Sequence, residues 1–357
     1  MLMAQNEALA LAQKWERFYN AKKQGIAMIQ VRSIANERML GPGRKLNFWQ
    51  FPEQMEAYLE YRVAGERFYW NNRLCVKDDS FPTIVPTYGI AEHTAYLGGE
   101  VVLQEDTSYH KPILTEWADF DKLSLDENRP WLRMLVDGIA YYRKNWGQLF
   151  NARIRGGSGV SDIANVVRGN ELFMDVYDHP EMVRKLADFC ADACRFATEQ
   201  QKAVCEPIGN GFVNGFDMWM PKNSIGHISE DAACMLSVES FDSLFMPSLR
   251  RLCDGYDNVM LHIHALSRKN IPQFASVPQI TVMEITGDPN QPPSIAVARE
   301  YEEVLRKKMV IVRMRRETLR QHLDFFDRMK TIIWYDAQSI EDAQEASELI
   351  HSRYSDF

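Results

Sequence analysis

The sequence lacks the features that mark secreted and membrane-spanning proteins. None of its six cysteines forms a CxxC pair, and a chain of 357 residues does not need disulfides to hold a core. No apolar run approaches the ~18 residues of a membrane helix. The N-terminal segment has neither a basic start nor an apolar centre, so it does not resemble a secretory signal. We therefore expect reduced thiols, no membrane partner and a cytoplasmic location.

Positive charge is scarce as well. The net charge is −8 and the isoelectric point is near 5.6, which argues against a nucleic acid partner, because phosphate backbones are bound by clustered basic faces. Apolar residues make up 46% and charged residues 25% of the chain, a composition typical of a globular core. No low-complexity segment or linker interrupts the chain, so we expect a single domain.

Short apolar runs alternate with amphipathic helices from about residue 80 onward. This alternation predicts an α/β fold with a parallel sheet and crossover helices. The runs are TIVPT (83–87), FNARIRG (150–156), GFVNGFD (211–217), NVMLHIHA (258–265), QITVMEI (279–285), KMVIVRM (308–314) and TIIWYD (331–336). GIAMIQVR (25–32) is a candidate for one more strand. We therefore predict a TIM (β/α)8 barrel over residues 76–357, preceded by an N-terminal helical extension over 1–75.

Two segments are expected to lie outside the regular barrel. GPGRK (41–45) has the composition of a loop between the N-terminal helices. The run GGEVVLQE is followed by polar and charged residues rather than by a helix, which indicates a hairpin.

Catalytic side chains of a parallel barrel gather at the C-terminal ends of the strands. The polar residues at the ends of the predicted strands are therefore candidates for a functional site. They are Arg153, Arg155, Asn214, Asp217, His262, His264, Glu284, Arg313 and Asp336.

His262 and His264 are the most informative of these candidates. Residues i and i+2 of a strand face the same side, so both imidazoles share a face with Met260, while Leu261 and Ile263 point to the opposite, helix-covered face. Each buried ring needs partners for two nitrogens, and a divalent metal would satisfy one on each ring. The alternative is a structural, hydrogen-bonding role.

Carboxylates at the ends of later strands complete a candidate metal site. Asp336 ends the last apolar run, and Glu284 ends the strand after the histidines. Two imidazoles with one or two carboxylates suit Zn²⁺, Fe²⁺ or Mn²⁺. Asp336 has a competing interpretation as part of a helix N-terminus, where Ser339 and Asp342 also have capping-box spacing.

Asp217 and Arg155 are the remaining catalytic candidates. Asp217 closes the run GNGFVNGFD, and its alternative is a turn residue in a glycine-rich loop. Arg155 precedes GGSG and a predicted helix start, where backbone amides would bind an anion. A tight turn between a strand and a helix explains GGSG equally well.

Several segments, in order, resemble the uroporphyrinogen decarboxylase superfamily. GGSGVSDIANVVRGNELFMDVYDHPEMVRKLADF is similar to its strand, turn and helix ending in "RG", followed by a "D…P" step. DDSFPTIVPTYG resembles the acidic-then-proline segment of its uncharacterised branch. EDAACMLSVESFDSLFMPSLRRL carries a recurring pattern at Ser237, Phe241, Phe245 and Pro247. The resemblance spans roughly residues 75–350.

The resemblance implies a TIM barrel and a choice between two chemistries. The arginine-rich "MRQAGR" motif of the true decarboxylases is absent, and the segment ANERMLGPGRK resembles it only weakly. Corrinoid-dependent methyltransferases of the superfamily bind zinc through His-x-Cys on the fifth strand and a late Cys. Here His262 matches the first position, while His264 and Asp336 replace the two thiolates.

These replacements make a harder site than two thiolates do. The resemblance therefore implies a metal-assisted methyltransferase that works with a methylcorrinoid carried by a partner protein. His262, His264 and Asp336 would hold the metal, and Glu284, Asp217 or Arg155 would assist catalysis. The alternatives are a decarboxylase-type lyase without metal, a metal-dependent hydrolase, and a non-catalytic relative that binds a ligand.

Overall fold

The computed structural model describes residues 2–35 and 45–357. The predicted loop at 41–45 therefore lies outside the described residues except for Lys45. The described α-helices are α1 Gln5–Asn20, α2 Met55–Arg73, α3 Pro130–Trp146, α4 Val160–Arg168, α5 Leu172–Asp178, α6 Pro180–Val204, α7 Val238–Leu244, α8 Met246–Cys253, α9 Ile271–Ala275, α10 Ser294–Glu300, α11 Glu302–Leu305, α12 Arg316–Leu319, α13 Leu323–Phe326 and α14 Ile340–Tyr354. None of the helices in the described ranges is long and apolar enough to cross a membrane.

The described strands fall into one large sheet and three small ones. They are β1 Ile26–Ile34, β2 Thr83–Ile84, β3 Val101–Leu103, β4 Ser108–His110, β5 Asn151–Ala152, β6 Pro207–Ile208, β7 Gly211–Val213, β8 Trp219–Pro221, β9 Ser224–Ser229, β10 Asn258–His264, β11 Ile280–Thr286, β12 Met309–Arg315 and β13 Lys330–Ala337. The large sheet has the order β1-β13-β12-β11-β10-β9, and all its pairs are parallel. The fold is therefore mixed α/β, as predicted.

In the sequence, the strands of the smaller sheets all lie between β1 and β9. Strands β2 and β5 form a parallel pair. Strands β3 and β4 form an antiparallel pair, which confirms the hairpin predicted around GGEVVLQE. Strands β6, β7 and β8 form an antiparallel sheet.

The prediction of a parallel barrel strand at 211–217 is wrong. Only Gly211–Val213 is extended there, and it pairs with antiparallel neighbours. The chain then turns, because the side-chain oxygen of Asn214 accepts hydrogen bonds from the backbone of Phe216 and Met218, and Asp217 has a positive φ of 60°. The next member of the large sheet is instead β9, which the sequence analysis did not identify.

Side-chain alternation separates two cores on the two faces of the large sheet. Leu261 and Ile263 of β10 belong to the core that also contains buried residues of the helices α6 and α8. Met260 belongs to the other core, together with Val282 of β11 and Ile332 of β13. The prediction that Leu261 and Ile263 face helices on the side opposite to Met260 is confirmed.

The segment 1–75 supplies part of the central sheet as well as helices. The predicted strand at 25–32 is present as β1, and it pairs along its length with β13, from Ile26 beside Lys330 to Ile34 beside Ala337. The helices α1 and α2 flank this strand in the sequence. The boundary predicted at residue 75 therefore does not separate a helical part from the sheet.

Asp79 connects the two ends of the chain through this strand. Its buried carboxylate accepts hydrogen bonds from Lys14 of α1 (2.6 Å), from the backbone of Ile29 in β1 (2.9 Å) and from His351 of α14 (3.1 Å). The indole of Trp15 also donates to the Asp79 carbonyl, at 3.1 Å. Burial acts to raise the pKa of Asp79, but His351 and Lys14 outweigh it and lower the value.

Candidate metal centre

The C-terminal ends of three adjacent strands place the candidate ligands together. In the register of the sheet, His262 of β10 lies beside Glu284 of β11 on one side and Ser229 of β9 on the other. His264 is the last residue of β10. Asp231 follows β9 by two residues, so its carboxylate lies at the same edge of the sheet.

Asp231, His262 and His264 form a group with the spacing of metal ligands. One donor atom from each of the three lies within 4.8 Å of the others. Nε2 of His262 is 3.6 Å from Oδ1 of Asp231, and Nε2 of His264 is 3.7 Å from Oδ2 of the same carboxylate. Oδ1 of Asp231 is buried and has no hydrogen-bond partner among the described residues. The donor set is therefore two imidazoles and one carboxylate.

The other nitrogen of each imidazole is held by a second carboxylate. Nδ1 of His262 bonds to Glu284, which is 2% exposed, and Nδ1 of His264 bonds to Asp288 at 2.6 Å. Thr286 donates to Glu284 at 2.7 Å. In metal sites, a carboxylate that receives the second ring N–H of a ligand histidine fixes both its tautomer and its orientation.

The carboxylates also set the protonation of this group. Burial acts to lower the pKa of His262, but Glu284 and Asp231 outweigh it and raise the value to about 9. Metal binding at Nε2 would therefore release a proton at neutral pH. Burial, and then repulsion between the carboxylates, raises the pKa of Asp162 well above its usual value, and burial raises that of Glu230 to about 7. A proton is thus retained beside Asp231 near neutral pH.

Asp336, which the sequence analysis grouped with the histidines, lies in a different set of contacts. Its carboxylate pairs with Arg313 at 2.8 Å and accepts a hydrogen bond from Ser33 at 2.7 Å. The carboxylate that lies beside both imidazoles belongs to Asp231, which the sequence analysis missed. The helix after β13 begins at Ile340 with Ser339 as its N-cap, so Asp336 does not cap it.

Asp217 and the arginines form a separate ion-pair network. The Asp217 carboxylate contacts Arg153 at 2.6 Å, Arg32 at 2.7 Å and Thr83 at 2.5 Å. Burial acts to raise the pKa of Asp217, but the two guanidinium groups outweigh it and lower the value. Asp217 is therefore a carboxylate at neutral pH. Arg155 pairs with the buried carboxylate of Glu92.

The anion predicted for the amides after GGSG is the protein's own Glu230. The helix α4 begins at Val160, and the backbone amides of Val160 and Ser161 donate to the Glu230 carboxylate at 2.7 and 2.9 Å. A Cβ at Gly159 would lie 2.4 Å from this carboxylate. The glycine is therefore needed for the approach of Glu230, and the helix N-terminus has an internal partner.

Replacing Asp288 by asparagine should weaken metal binding without removing a ligand. The amide oxygen can still accept a hydrogen bond from Nδ1 of His264, but without the negative charge it holds the ring less firmly and makes Nε2 a weaker ligand. Changes of this kind typically cost about 10–100-fold in metal affinity. Competition with a fluorescent zinc chelator would measure the change.

The exposed Asp242 of α7 offers a control for this measurement. Asp242→Asn removes one negative charge from the chain without altering the centre. An equal loss of affinity in both variants would mean that net charge, rather than orientation of His264, is responsible.

No protein-family model matches this chain, and no curated protein matches it. The resemblance to the uroporphyrinogen decarboxylase superfamily therefore rests on the sequence segments given above. The centre at Asp231, His262 and His264 stands on its own geometry.

Proposed function

We propose that this protein is a metal-dependent enzyme that transfers a methyl group from a methylcorrinoid carried by a partner protein. Asp231, His262 and His264 would hold the metal ion. The observation that carries the proposal is the pair of imidazoles whose Nδ1 atoms bond to Glu284 and Asp288 while their Nε2 atoms face the Asp231 carboxylate.

The residues present fit a metal ion of intermediate hardness. Two nitrogens and one oxygen are the ligands of catalytic Zn²⁺ sites and of mononuclear Fe²⁺ sites, and Mn²⁺ accepts them as well. Three protein ligands leave coordination positions for a substrate. When bound, such an ion lowers the pKa of a thiol or a water molecule that it contacts and so generates a nucleophile.

The remaining residues of the site orient the ligands and set the charge around them. Glu284 and Asp288 fix the two imidazoles, as their hydrogen bonds indicate. The acidic group of Asp162 and Glu230 adjoins Asp231, and burial raises the pKa of both carboxyl groups.

We further propose that the strands close into the predicted (β/α)8 barrel. The parallel pair β2–β5 would bridge β1 and β9. Three backbone hydrogen bonds support this closure: Asp79 donates to Ile29 at 2.8 Å, Gly157 to His227 at 3.2 Å and Gly159 to Ser229 at 2.7 Å. The centre would then lie at the C-terminal face, where the active sites of such barrels are found.

Metal-dependent hydrolysis is the second candidate function. It is favoured by the composition of the ligand group, which has nitrogen and oxygen donors and no thiolate. Such a centre activates water by lowering the pKa of the molecule that it binds. The two functions differ in the nucleophile and in the group that is transferred.

Metal analysis and a cobalamin assay test the proposal together. We expect near one zinc, iron or manganese ion per chain after purification without chelator. Free methylcobalamin with 2-mercaptoethanol should then show the cobalt absorbance change of demethylation, at a rate at least about tenfold above that without protein, and a chelator should abolish it.

The outcomes separate the candidate functions. A chain that takes up no metal even after metal is added back contradicts both, and would favour the lyase or ligand-binding alternatives. A metal-loaded protein that leaves methylcobalamin unchanged but hydrolyses an activated ester in a chelator-sensitive manner would favour the hydrolase.

A further inference from the structure

Two more histidines continue the line of imidazoles away from the metal centre. The ring centroids of His264 and His262 are 5.1 Å apart, those of His262 and His227 are 6.0 Å apart, and those of His227 and His93 are 6.1 Å apart. His227 lies on β9, and His93 follows β2 in the chain. These two rings are therefore next to the centre without belonging to its ligand group.

Three of the four nitrogens of these two rings are buried without a hydrogen-bond partner in the part of the chain that the structure describes. His227 is 7% exposed, and neither its Nδ1 nor its Nε2 has a hydrogen-bond partner. Nδ1 of His93 is buried and unpartnered as well. Buried polar atoms are almost always hydrogen-bonded, so a cluster of three unpaired nitrogens indicates a missing binding partner.

The surrounding chain is shaped to hold the His227 ring. Gly156 has a positive φ of 90°, and a Cβ there would lie 2.4 Å from Nδ1 of His227. The ring of Phe216 packs against the imidazole with centroids 4.4 Å apart. The position of the ring is thus fixed by close contacts, although its polar atoms bond to nothing among the described residues.

The charged groups near these rings are arginines and their carboxylate partners. Arg155 is paired with Glu92, while Arg153 and Arg32 share the single carboxylate of Asp217. Burial lowers the pKa of His93 and of His227 well below the usual value, and the arginines and neighbouring histidines lower both further. A neutral imidazole can donate one hydrogen bond and accept another.

We infer that His227 and His93 form a subsite for an oxygen-bearing group of the substrate, such as a hydroxyl, an ether or a carbonyl. Such a group would supply hydrogen bonds that the three buried nitrogens lack among the described residues. This inference rests on the proposed function in one respect: its ligand is the molecule that reacts at the neighbouring metal centre.

Acetamide and acetate provide matched probes, because they have the same shape and differ in charge. The protein would be labelled with ¹⁵N-histidine and loaded with zinc. Acetamide should shift the ring nitrogen signals of His227. His227→Phe, which keeps a ring against Phe216, should weaken acetamide binding about tenfold, the loss expected for one hydrogen bond. His227→Gln, which keeps a donor and an acceptor, should restore part of the affinity and serves as the second variant.

Acetate is also a ligand of metal ions, so its affinity in the two proteins reports on the metal centre. Equal acetamide affinity in wild type and His227→Phe would overturn the inference. His264→Ala should lose the zinc but keep the response of His227 to acetamide. A wild-type protein that binds no zinc while His227 still responds would refute the proposed function and leave the subsite standing.

Discussion

Replacing Asp231 by alanine should lower the metal affinity of the protein about 100- to 1,000-fold, because structural zinc sites gain roughly 3–4 kcal/mol for each of their four ligands. The change removes the carboxylate that lies 3.6 and 3.7 Å from the two Nε2 atoms. Catalysis at physiological metal concentrations should be lost with it. Metal content by mass spectrometry and affinity by chelator competition would measure the effect.

Asp336→Ala is the matched control for this variant. Both aspartates lie at the C-terminal ends of strands of the large sheet, but Asp336 is engaged by Arg313 and Ser33. We expect this variant to keep its metal. If Asp336→Ala lost the metal and Asp231→Ala kept it, the ligand set inferred from the sequence would be right and the set inferred from the structure would be wrong.

Replacing Asp79 by asparagine should lower the free energy of unfolding by about 3 kcal/mol, since breaking a buried ion pair from one side typically costs 3–5 kcal/mol. The lower end applies because Lys14 and His351 have side chains that are 22% and 28% exposed. Urea denaturation should show a lower midpoint with an unchanged slope. Asp356→Asn, in an exposed pair with Lys23, should leave the midpoint unchanged.

The effect of Asp79 should depend on pH in a definite direction. Its pKa is lower in the folded protein than the usual 3.8. The carboxylate therefore contributes its stability above the pKa of the unfolded chain, and the contribution is lost as the pH falls through the folded pKa. The difference between wild type and Asp79→Asn should shrink below about pH 4. A constant difference down to pH 2 would mean that packing, rather than charge, is responsible.

The parts of the fold that the sequence predicted best are those with long apolar runs. Strands β10 to β13 are seven or eight residues long and carry a polar residue at the last or the second-last position. Strand β9 was missed because SIGHIS combines a glycine, two serines and a histidine. The run at 211–217 was misassigned because Asn214 forms a turn through side-chain hydrogen bonds that periodicity does not reveal.

The same omission explains the error in the candidate site. The parity of β10 was sufficient to place His262 and His264 on one face, and Glu284 was correctly expected beside them. Asp231 was missed because it follows a strand that had not been identified. Had β9 been recognised, the acidic pair after its end would have been an obvious candidate. The unpaired nitrogens of His227 could not be predicted, since they depend on which groups are absent around the ring.

The pairing of β1 with β13 has a consequence for how the protein is made. Ile26 leaves the ribosome about 300 residues before its partner Lys330. At ordinary rates of synthesis, roughly 15–60 s pass before the pairing becomes available. During this interval, the edge of β1 that pairs with β13 has no partner. The pairing itself is also slow, because it closes a very long loop. Nascent chains that stop short of residue 330 should therefore be sensitive to protease and should need chaperones, however complete their helices are.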